Sequence, residues 1–154
     1  LLLLSKIENG QFPETEQVDF NAQVRRTAED MEEIYAGREM RFALHEQGHL
    51  SVRMNPSLAA SLVSNLLKNA YVHGDKGGTV SVTVAPHELR VCNSSGGGAL
   101  DAEHIFERFY QGTKKEGSTG LGLSIVDAVC RLYGLRVGYS YINRCHCFSV
   151  HFRI

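Results

Sequence analysis

The chain has 154 residues and a formal net charge of −1, with the apolar and charged fractions of an ordinary globular domain. A chain of this length can bury roughly two-thirds of its surface, so it needs neither disulfides nor a metal ion to fold. Positive and negative residues are interspersed, which excludes the basic footprint of a nucleic-acid-binding protein and the polybasic segment of a membrane-surface protein.

The cysteines and the first residues indicate the cellular compartment in which the chain is expected. No secreted-scaffold spacing and no CxxC motif relates the four cysteines, so we expect a reducing, cytoplasmic compartment. The initial LLLL is too short to span a bilayer and lacks the flanks of a signal peptide. Because the chain begins at Leu1 without Met, we expect it to be part of a longer protein.

The first predicted elements are two helices separated by a polar segment. Leu1 to Glu8 are predicted to be the last turns of a helix, and GQFPETEQ follows as a connector. This connector is the expected domain boundary, between 1–17 and 18–154. An amphipathic helix then begins at an N-cap, Asp19 or Asn21, and its apolar positions are Val24, Ala28, Met31 and Ile34.

The segment ALHEQGHL raises the question of a zinc site. His45-Glu46-x-x-His49 has the spacing that places two histidines on one helix face in zinc proteases. However, apolar residues alternate with period two from Met40 to Leu44 and from Leu50 to Met54, which predicts two strands with the motif at a hairpin turn. Residues four apart in a strand or turn do not share a face, and a third ligand at the expected spacing is missing. We therefore interpret the segment as a hairpin.

The middle of the chain is predicted to contain a helix and a hairpin. Asn55-Pro56 begins a helix that ends at Gly74, and one of its faces carries a polar row at four-residue spacing: Ser61, Asn65, Asn69 and His73. The strands Thr79 to Ala85 and Glu88 to Cys92 are predicted to pair around Pro86-His87. A glycine-rich loop, NSSGGGALD, leads to a short helix capped by Asp101, and QGTKKEGS is predicted to be a surface loop.

The last predicted elements are a helix and a second hairpin. Ser118 or Thr119 caps the helix, Gly134 ends it, and its predicted core positions are Leu121, Ile125, Ala128, Val129 and Leu132. The closing hairpin pairs residues 136–142 with 146–153. Cysteine and histidine in RCHCFSVHF suggest a metal site, but the alternation of Phe148, Val150 and Phe152 favours a plain core strand.

Three signals that bear on chemistry occur in order along the chain. They are an asparagine pair one turn apart in NLLKNA, a glycine-rich loop after a strand in VCNSSGGG, and STGLGLSIV at the start of a helix. Uncovered amides at a helix N-terminus bind phosphate, and an amide oxygen suits Mg²⁺. Each signal alone is weak, whereas the ordered set is specific.

These segments resemble a known family. NLLKNAYVHG, IFERFYQG and GSTGLGLSIV look like the N, F and G2 boxes of sensor histidine kinases, in the GHKL superfamily, and LLLLSKIENGQF looks like the end of the kinase's dimerisation helix. The resemblance implies the Bergerat fold, an α/β sandwich in which a mixed, mostly antiparallel sheet is backed by helices. It also implies ATP and Mg²⁺ as ligands, bound between the N-box helix and a lid.

The resemblance assigns roles to individual residues. Asn69 matches the Mg²⁺-coordinating asparagine, Asn65 matches the asparagine that helps to hold metal and phosphate, and His73 lies within the same site. Asn93 and Gly96 are the nearest matches to the adenine-binding G1 box. Lid anchors, which are equally explained as core aromatics, are Phe106 and Phe109. The G2 segment matches at Ser118, Thr119, Gly120, Leu121, Gly122 and Leu123, and cations near the lid are Arg108, Lys114 and Lys115.

The chain departs from the family pattern at three positions. Asn93 stands where the G1 box normally carries Asp, and a neutral acceptor makes a bond about half as strong as an ionised one. Val72 replaces a basic residue common after the N box, and Gln111 stands where many relatives have a phosphate-contacting Arg. We therefore expect weaker adenine binding, and base selectivity is open.

The resemblance implies a catalytic domain that donates the γ-phosphate of Mg²⁺-ATP to a histidine on a separate dimerisation domain, for transfer to a response-regulator aspartate. The full-length protein is expected to be a homodimer and a membrane-anchored sensor protein, of which this chain is a cytoplasmic domain without nucleic-acid partners. Two alternatives stay open. A nucleotide-binding module without catalysis is favoured by Asn93, Val72 and Gln111, and a gyrase-type ATPase is disfavoured because Asn65 stands in place of a general base.

Overall fold

The computed structural model describes residues 2–101, 104–106 and 122–153. The helices in these ranges are α1 Leu2–Glu8, α2 Phe20–Ile34, α3 Pro56–His73 and α4 Gly122–Tyr133, with a 3₁₀ turn at Ala36–Arg38. The strands are β1 Glu16–Asp19, β2 Arg41–Glu46, β3 Ser51–Met54, β4 Thr79–Ala85, β5 Glu88–Ser94, β6 Arg136–Ile142 and β7 Cys145–His151. No helix in the described ranges has both the length and the apolar character needed to cross a bilayer.

The strands form one main sheet and one small sheet. The main sheet has the order β2-β4-β5-β7-β6, in which β2 and β4 are parallel and every other pair is antiparallel. β1 and β3 form a separate antiparallel pair. The predicted fold class, a mixed and mostly antiparallel sheet backed by helices, is confirmed.

The core lies between one face of the main sheet and the helices. Alternate residues of β4, β5 and β7 are buried there, because successive side chains of a strand point to opposite faces. The buried strand residues are Val80, Val82, Val84, Leu89, Val91, Phe148 and Val150. They join the apolar face of α3 and parts of α2 and α4 in a single cluster. The opposite face of the sheet carries mostly polar and half-buried residues.

Side-chain N-caps define where α2 and α3 begin. The Asp19 carboxylate accepts from the Ala22 N–H at 3.2 Å, and Asn55 Oδ1 accepts from the Leu58 N–H at 3.1 Å, as N-cap residues do. α1 packs against α4, with Leu4 and Ile7 buried. The predicted starts of α2 and α3 are confirmed, with Asp19 rather than Asn21 as the first cap.

Several sequence-based predictions about pairing are wrong. β2 and β3 do not form a hairpin, because β2 pairs with β4 and β3 pairs with β1, which had not been predicted as a strand. Leu132 is 43% exposed, since the deeply buried residues of α4 lie on a neighbouring face, at Val126, Val129 and Cys130. By contrast, the β4–β5 and β6–β7 hairpins are confirmed.

The cysteine spacing in the sequence did not indicate the disulfide that the structure contains. Cys92 and Cys147 form a disulfide between β5 and β7, although 55 positions separate them along the chain. The antiparallel register places the two residues directly opposite each other, with a Cα–Cα distance of 4.2 Å. Sequence spacing alone does not reveal such a pair, because strand register decides which residues meet.

Candidate functional site

The polar row of α3 forms one side of the candidate site. Ser61, Asn65, Asn69 and His73 are each four residues apart and therefore lie on one face of the helix. All four side chains are half-buried. Within the described part of the chain, the amide of Asn69 has no hydrogen-bond partner, so both its oxygen and its nitrogen can bind a ligand. The predicted Asn65–Asn69 pair is therefore presented together on an accessible face.

Asn65 is oriented by its neighbour on the helix. Its Nδ2 donates to the carbonyl oxygen of Ser61 at 2.8 Å and to Ser61 Oγ at 3.2 Å. Because the nitrogen is used in this way, the carbonyl oxygen points away from the helix backbone. That oxygen faces the beginning of α4, where a Cβ placed on Gly122 would lie 3.2 Å from Asn65 Oδ1.

Gly122 lets the beginning of α4 approach α3. A side chain at this position would press against Asn65 Oδ1, whereas glycine leaves the space open. The first amides of an α-helix have no partner within the helix and carry the positive end of its dipole. The amide oxygen of Asn65 and the N-terminus of α4 thus face a common space, an arrangement that suits a cation bound to an anionic group.

Asn93 lies at the other end of the polar row. It is 2% exposed on β5, and the only hydrogen bond described for its side chain is a long one, from Nδ2 to the carbonyl oxygen of Ser94 at 3.5 Å. α3 ends beside it, since a Cβ on Gly74 would lie 3.3 Å from Asn93 Cβ. Gly74 follows Asn65 by nine residues, so the site extends about 14 Å along the helix at its standard rise. An elongated ligand with one anionic end fits a site of this length.

Asp75 holds the glycine-rich loop against the end of α3, and sequence analysis did not identify it. Its Oδ2 accepts from the Gly96 N–H at 3.0 Å, and its own N–H donates to the carbonyl oxygen of Ser94 at 2.9 Å. From the other side, the Ser95 N–H donates to the Arg144 carbonyl at 2.8 Å. The predicted residue Gly96 is therefore in a loop fixed by two separate segments.

His146 was interpreted as an ordinary strand residue, but it lies beside Asn93. The two are paired in the β5–β7 register, and His146 is only 4% exposed. Tyr139 Oη lies 2.8 Å from His146 Nδ1 and accepts from the Leu100 N–H at 2.9 Å. A buried histidine and a buried asparagine therefore share the floor of the site, and only the register could have revealed this.

The remaining predicted residues are partly described. Phe106 is half-buried and makes an edge-to-face contact with Phe148, with ring centroids 6.0 Å apart. This contact agrees with its interpretation as a core aromatic. Leu123 is packed against the core, and Val72 is 6% exposed, a position that suits an apolar rather than a basic side chain. Outside the described residues lie Arg108, Phe109, Gln111, Lys114, Lys115, Ser118, Thr119, Gly120 and Leu121.

The His45-Glu46-x-x-His49 motif makes structural contacts instead of a metal site. Glu46 forms an ion pair with Arg25 at 2.5 Å and accepts from Asn21 Nδ2 at 2.9 Å. The hydrogen bond from Asn21, together with Arg25, lowers the pKa of the Glu46 carboxyl. His49 lies 3.9 Å from Asp19. In the described ranges, no group of three or more His, Cys, Asp or Glu side chains is arranged to hold a metal ion.

Solved structures of histidine kinases share this fold. The catalytic domain of histidine kinase ThkA superposes with a TM-score of 0.76 and 22% identity, over 90% of this chain and 95% of that one. Full-length ShkA in complex with AMPPNP gives a TM-score of 0.78 and 23% identity, over 97% of this chain and 33% of that one.

Sequence comparison then gives the family. Residues 54–153 match the family described as histidine kinase-, DNA gyrase B-, and HSP90-like ATPase, and the chain belongs to it. It is 30% identical to a heme sensor protein, HssS, of Staphylococcus saprophyticus, over 86% of this chain and 30% of that protein. It is 42% identical to the sensor histidine kinase RppB of Synechocystis, over 49% of this chain and 18% of that protein. The chain thus spans less than a third of these homologous sensor kinases.

Proposed function

We propose that this chain binds ATP with Mg²⁺ and donates the γ-phosphate to a histidine on a separate dimerisation domain, for onward transfer to an aspartate of a response regulator. The observation that supports this most is the orientation of Asn65. Ser61 holds its nitrogen, and its oxygen faces the N-terminus of α4. This places an oxygen ligand for a cation beside amides that bind phosphate.

Different residues along α3 and the beginning of α4 have different proposed roles in binding the nucleotide. Asn69 is the proposed Mg²⁺ ligand, with Asn65 one turn earlier, and the amide oxygens of both fit a hard cation. When bound, Mg²⁺ neutralises phosphate charge during transfer. Gly122 keeps the phosphate end open, and Gly120 is the second glycine proposed for it. The protein's contribution is positioning and charge stabilisation, which are the main requirements of phosphoryl transfer.

Asn93 is proposed to receive the adenine base. Its buried amide oxygen can accept from the exocyclic amine, and its weak bond to Ser94 leaves it available. Asp75 supports this end by fixing the loop at Gly96. His73 is the last residue of α3, so it lies at this end of the site, on the same helix face as Asn65 and Asn69. This assignment agrees with the order of the motifs in the sequence.

Transfer to an acceptor is favoured over hydrolysis. A gyrase-type ATPase needs a group that removes a proton from water, and an asparagine cannot take up that proton. In this chain the nitrogen of Asn65 is already committed to Ser61, so the amide is held as an oxygen ligand. A hydrolase mechanism is therefore the weaker alternative.

A nucleotide-binding module without catalysis is the stronger alternative. The observation that favours it is Asn93, a neutral acceptor at a buried position. Binding of Mg²⁺-ATP without phosphotransfer in the complete protein would select this alternative.

The proposed partners follow from the proposed reaction. They are the dimerisation and phosphoacceptor domain of the same protein and a response regulator, with the full-length protein a homodimer and this chain a cytoplasmic domain of a membrane-anchored sensor. The relatives named sensor proteins and sensor histidine kinases support this organisation. Nucleic acid is not a proposed partner.

Asn69→Ala tests the proposed site. A hydrogen bond or ligand contact to a charged group is worth about 1.5–3 kcal/mol, so Mg²⁺-dependent ATP affinity should fall about tenfold or more. Titration calorimetry with and without Mg²⁺ measures this loss. Lys68→Ala is the matched control, because Lys68 is the neighbouring and exposed residue of α3 and its removal should leave affinity unchanged. An Asn69→Ala protein with wild-type affinity would contradict the assignment.

A further inference from the structure

Three cysteines lie close together on the face of the main sheet that is turned away from the core. Cys92 is on β5, and Cys145 and Cys147 are on β7, each alternating with buried residues. All three are half-buried. The register pairs Cys92 with Cys147 and pairs Ser94 with Cys145, so the cysteines occupy adjacent places on one surface.

The geometry allows one disulfide among them. Cys92 and Cys147 are directly opposite and are joined in the structure, with Cα atoms 4.2 Å apart. Cys145 is two residues from Cys147 along the strand and diagonal to Cys92. Such neighbours are about 7 Å or more apart, which is beyond the usual reach of a disulfide. Cys145 is therefore a free thiol beside the disulfide, and it cannot exchange into it while the sheet is intact.

We propose that Cys92, Cys145 and Cys147 form a thiol–disulfide exchange site for low-molecular-mass disulfides, in which Cys92 and Cys147 close and open reversibly while Cys145 takes a mixed disulfide. The inference does not depend on the proposed nucleotide site. The cluster of buried core residues includes none of these three cysteines, and all three residues are only half-buried, so reagents in solution can reach this face of the sheet.

Cys130 provides an internal comparison. It is 1% exposed in α4, and burial, together with the nearby Asp127, raises the pKa of its thiol to about 12. The thiolate is the species that attacks a disulfide, so Cys130 is expected to be inert. Reactivity should therefore separate the cysteines by their place in the fold.

The exchange balances with an external disulfide as the oxidant. The Cys147 thiolate attacks RSSR, forming Cys147–S–SR and releasing RS⁻. The Cys92 thiolate then attacks the Cys147 sulfur, forming the cross-strand disulfide and releasing a second RS⁻. The two thiols lose two protons and two electrons, and RSSR is reduced to two RSH. At Cys145 the reaction stops after the first step, with a mixed disulfide and one RSH.

The test is peptide mass mapping of the folded 154-residue chain, first reduced and then incubated with oxidised glutathione. Trypsin separates Cys92 (residues 91–108), Cys130 (116–131) and the Cys145–Cys147 pair (145–153). The expected product links the first and last peptides through Cys92 and Cys147 and carries glutathione on Cys145, with Cys130 unmodified. Fragmentation assigns the modified sulfurs, and a reductant should return all four thiols.

Variants separate the two reactions. Cys145→Ser should carry no glutathione but should keep the Cys92–Cys147 cross-link. Cys92→Ser should lack the cross-link and should carry glutathione on Cys147 as well as on Cys145. Cys130→Ala is the control and should change neither product. The proposal is overturned if the folded wild-type chain forms no link, links Cys145 to Cys92, or is modified at Cys130 as fast as at Cys145. These outcomes are read on the wild-type chain, so they do not require any variant to fold.

Discussion

Replacing Asn93 by Asp tests the base end of the proposed site most directly. The side chain is 2% exposed, pairs in register with Val80 and His146, and makes only a long hydrogen bond at its nitrogen. Asn93→Asp changes the charge of the acceptor with almost no change in size. Any effect on nucleotide binding therefore reports the electrostatics of this one position.

Two opposing effects can be estimated. Without nucleotide, a carboxylate at this buried site lacks good donors, which should destabilise the fold by on the order of 1–3 kcal/mol. With ATP bound, a charge-assisted hydrogen bond to the exocyclic amine replaces a neutral one and gains about 1 kcal/mol, or about fivefold in affinity. Guanine presents a carbonyl oxygen in place of that amine, so a carboxylate should weaken GTP binding.

The assay is titration calorimetry with ATP and with GTP, combined with thermal unfolding of the nucleotide-free chain. Asn143→Asp is the matched control, because it adds the same charge in the exposed turn between β6 and β7. Its backbone has a positive φ that both Asn and Asp tolerate. If Asn93→Asp leaves the ATP and GTP affinities unchanged, or raises both equally, Asn93 does not contact the base.

Three further predictions test other parts of the chain. Gly122→Ala places a Cβ 3.2 Å from Asn65 Oδ1, so calorimetry should show at least severalfold weaker ATP binding while the unfolding temperature stays near that of the wild type. Unchanged affinity would contradict the proposal that Gly122 keeps space open for the phosphates. The folded-state pKa of Glu46 is lowered, so its stabilising contribution is present above its ordinary pKa of 4.5 and is lost as pH falls. The free energy of unfolding, measured with urea at neutral pH and at about pH 3, should therefore change less with pH for Glu46→Gln than for the wild type. An equal pH dependence of the two proteins would contradict this. Incubation of the 154-residue chain with γ-labelled ATP should leave no acid-labile label on it, while a helical phosphoacceptor domain supplied in trans should be labelled; label on the chain alone would refute this.

Local patterns in the sequence predicted the parts of the fold that depend on neighbouring residues. The caps at Asp19 and Asn55 are side-chain bonds to amides three residues later, and both are visible in the sequence. The tight turns between β4 and β5 and between β6 and β7 were likewise predictable from alternation and turn residues. In each case the determining contacts lie within a few positions of the signal.

Pairing between distant strands could not be predicted in this way. Alternation showed that β2 and β3 are strands, but it carries no information about the partner of a strand. β2 forms a parallel pair with β4, and the connection between them passes through β3 and α3, whereas β3 pairs with β1. The Cys92–Cys147 disulfide depends on the same kind of information. A prediction of neighbours in sequence therefore failed where the true neighbours are far apart.

At Asn93 on β5, too, the sequence pattern identified the residue but not the distant segments that surround it. The sequence pattern identified Asn93 by its position in a motif, but its environment comes from β7 and from the segment after α3. His146 reaches it through strand register, and Asp75 reaches the adjoining loop through its bond to Gly96. A substituted acceptor in a motif is therefore weak evidence for lost binding by itself, because its strength depends on these distant groups. That is why the comparison of Asn93 with Asp must be made in the folded protein.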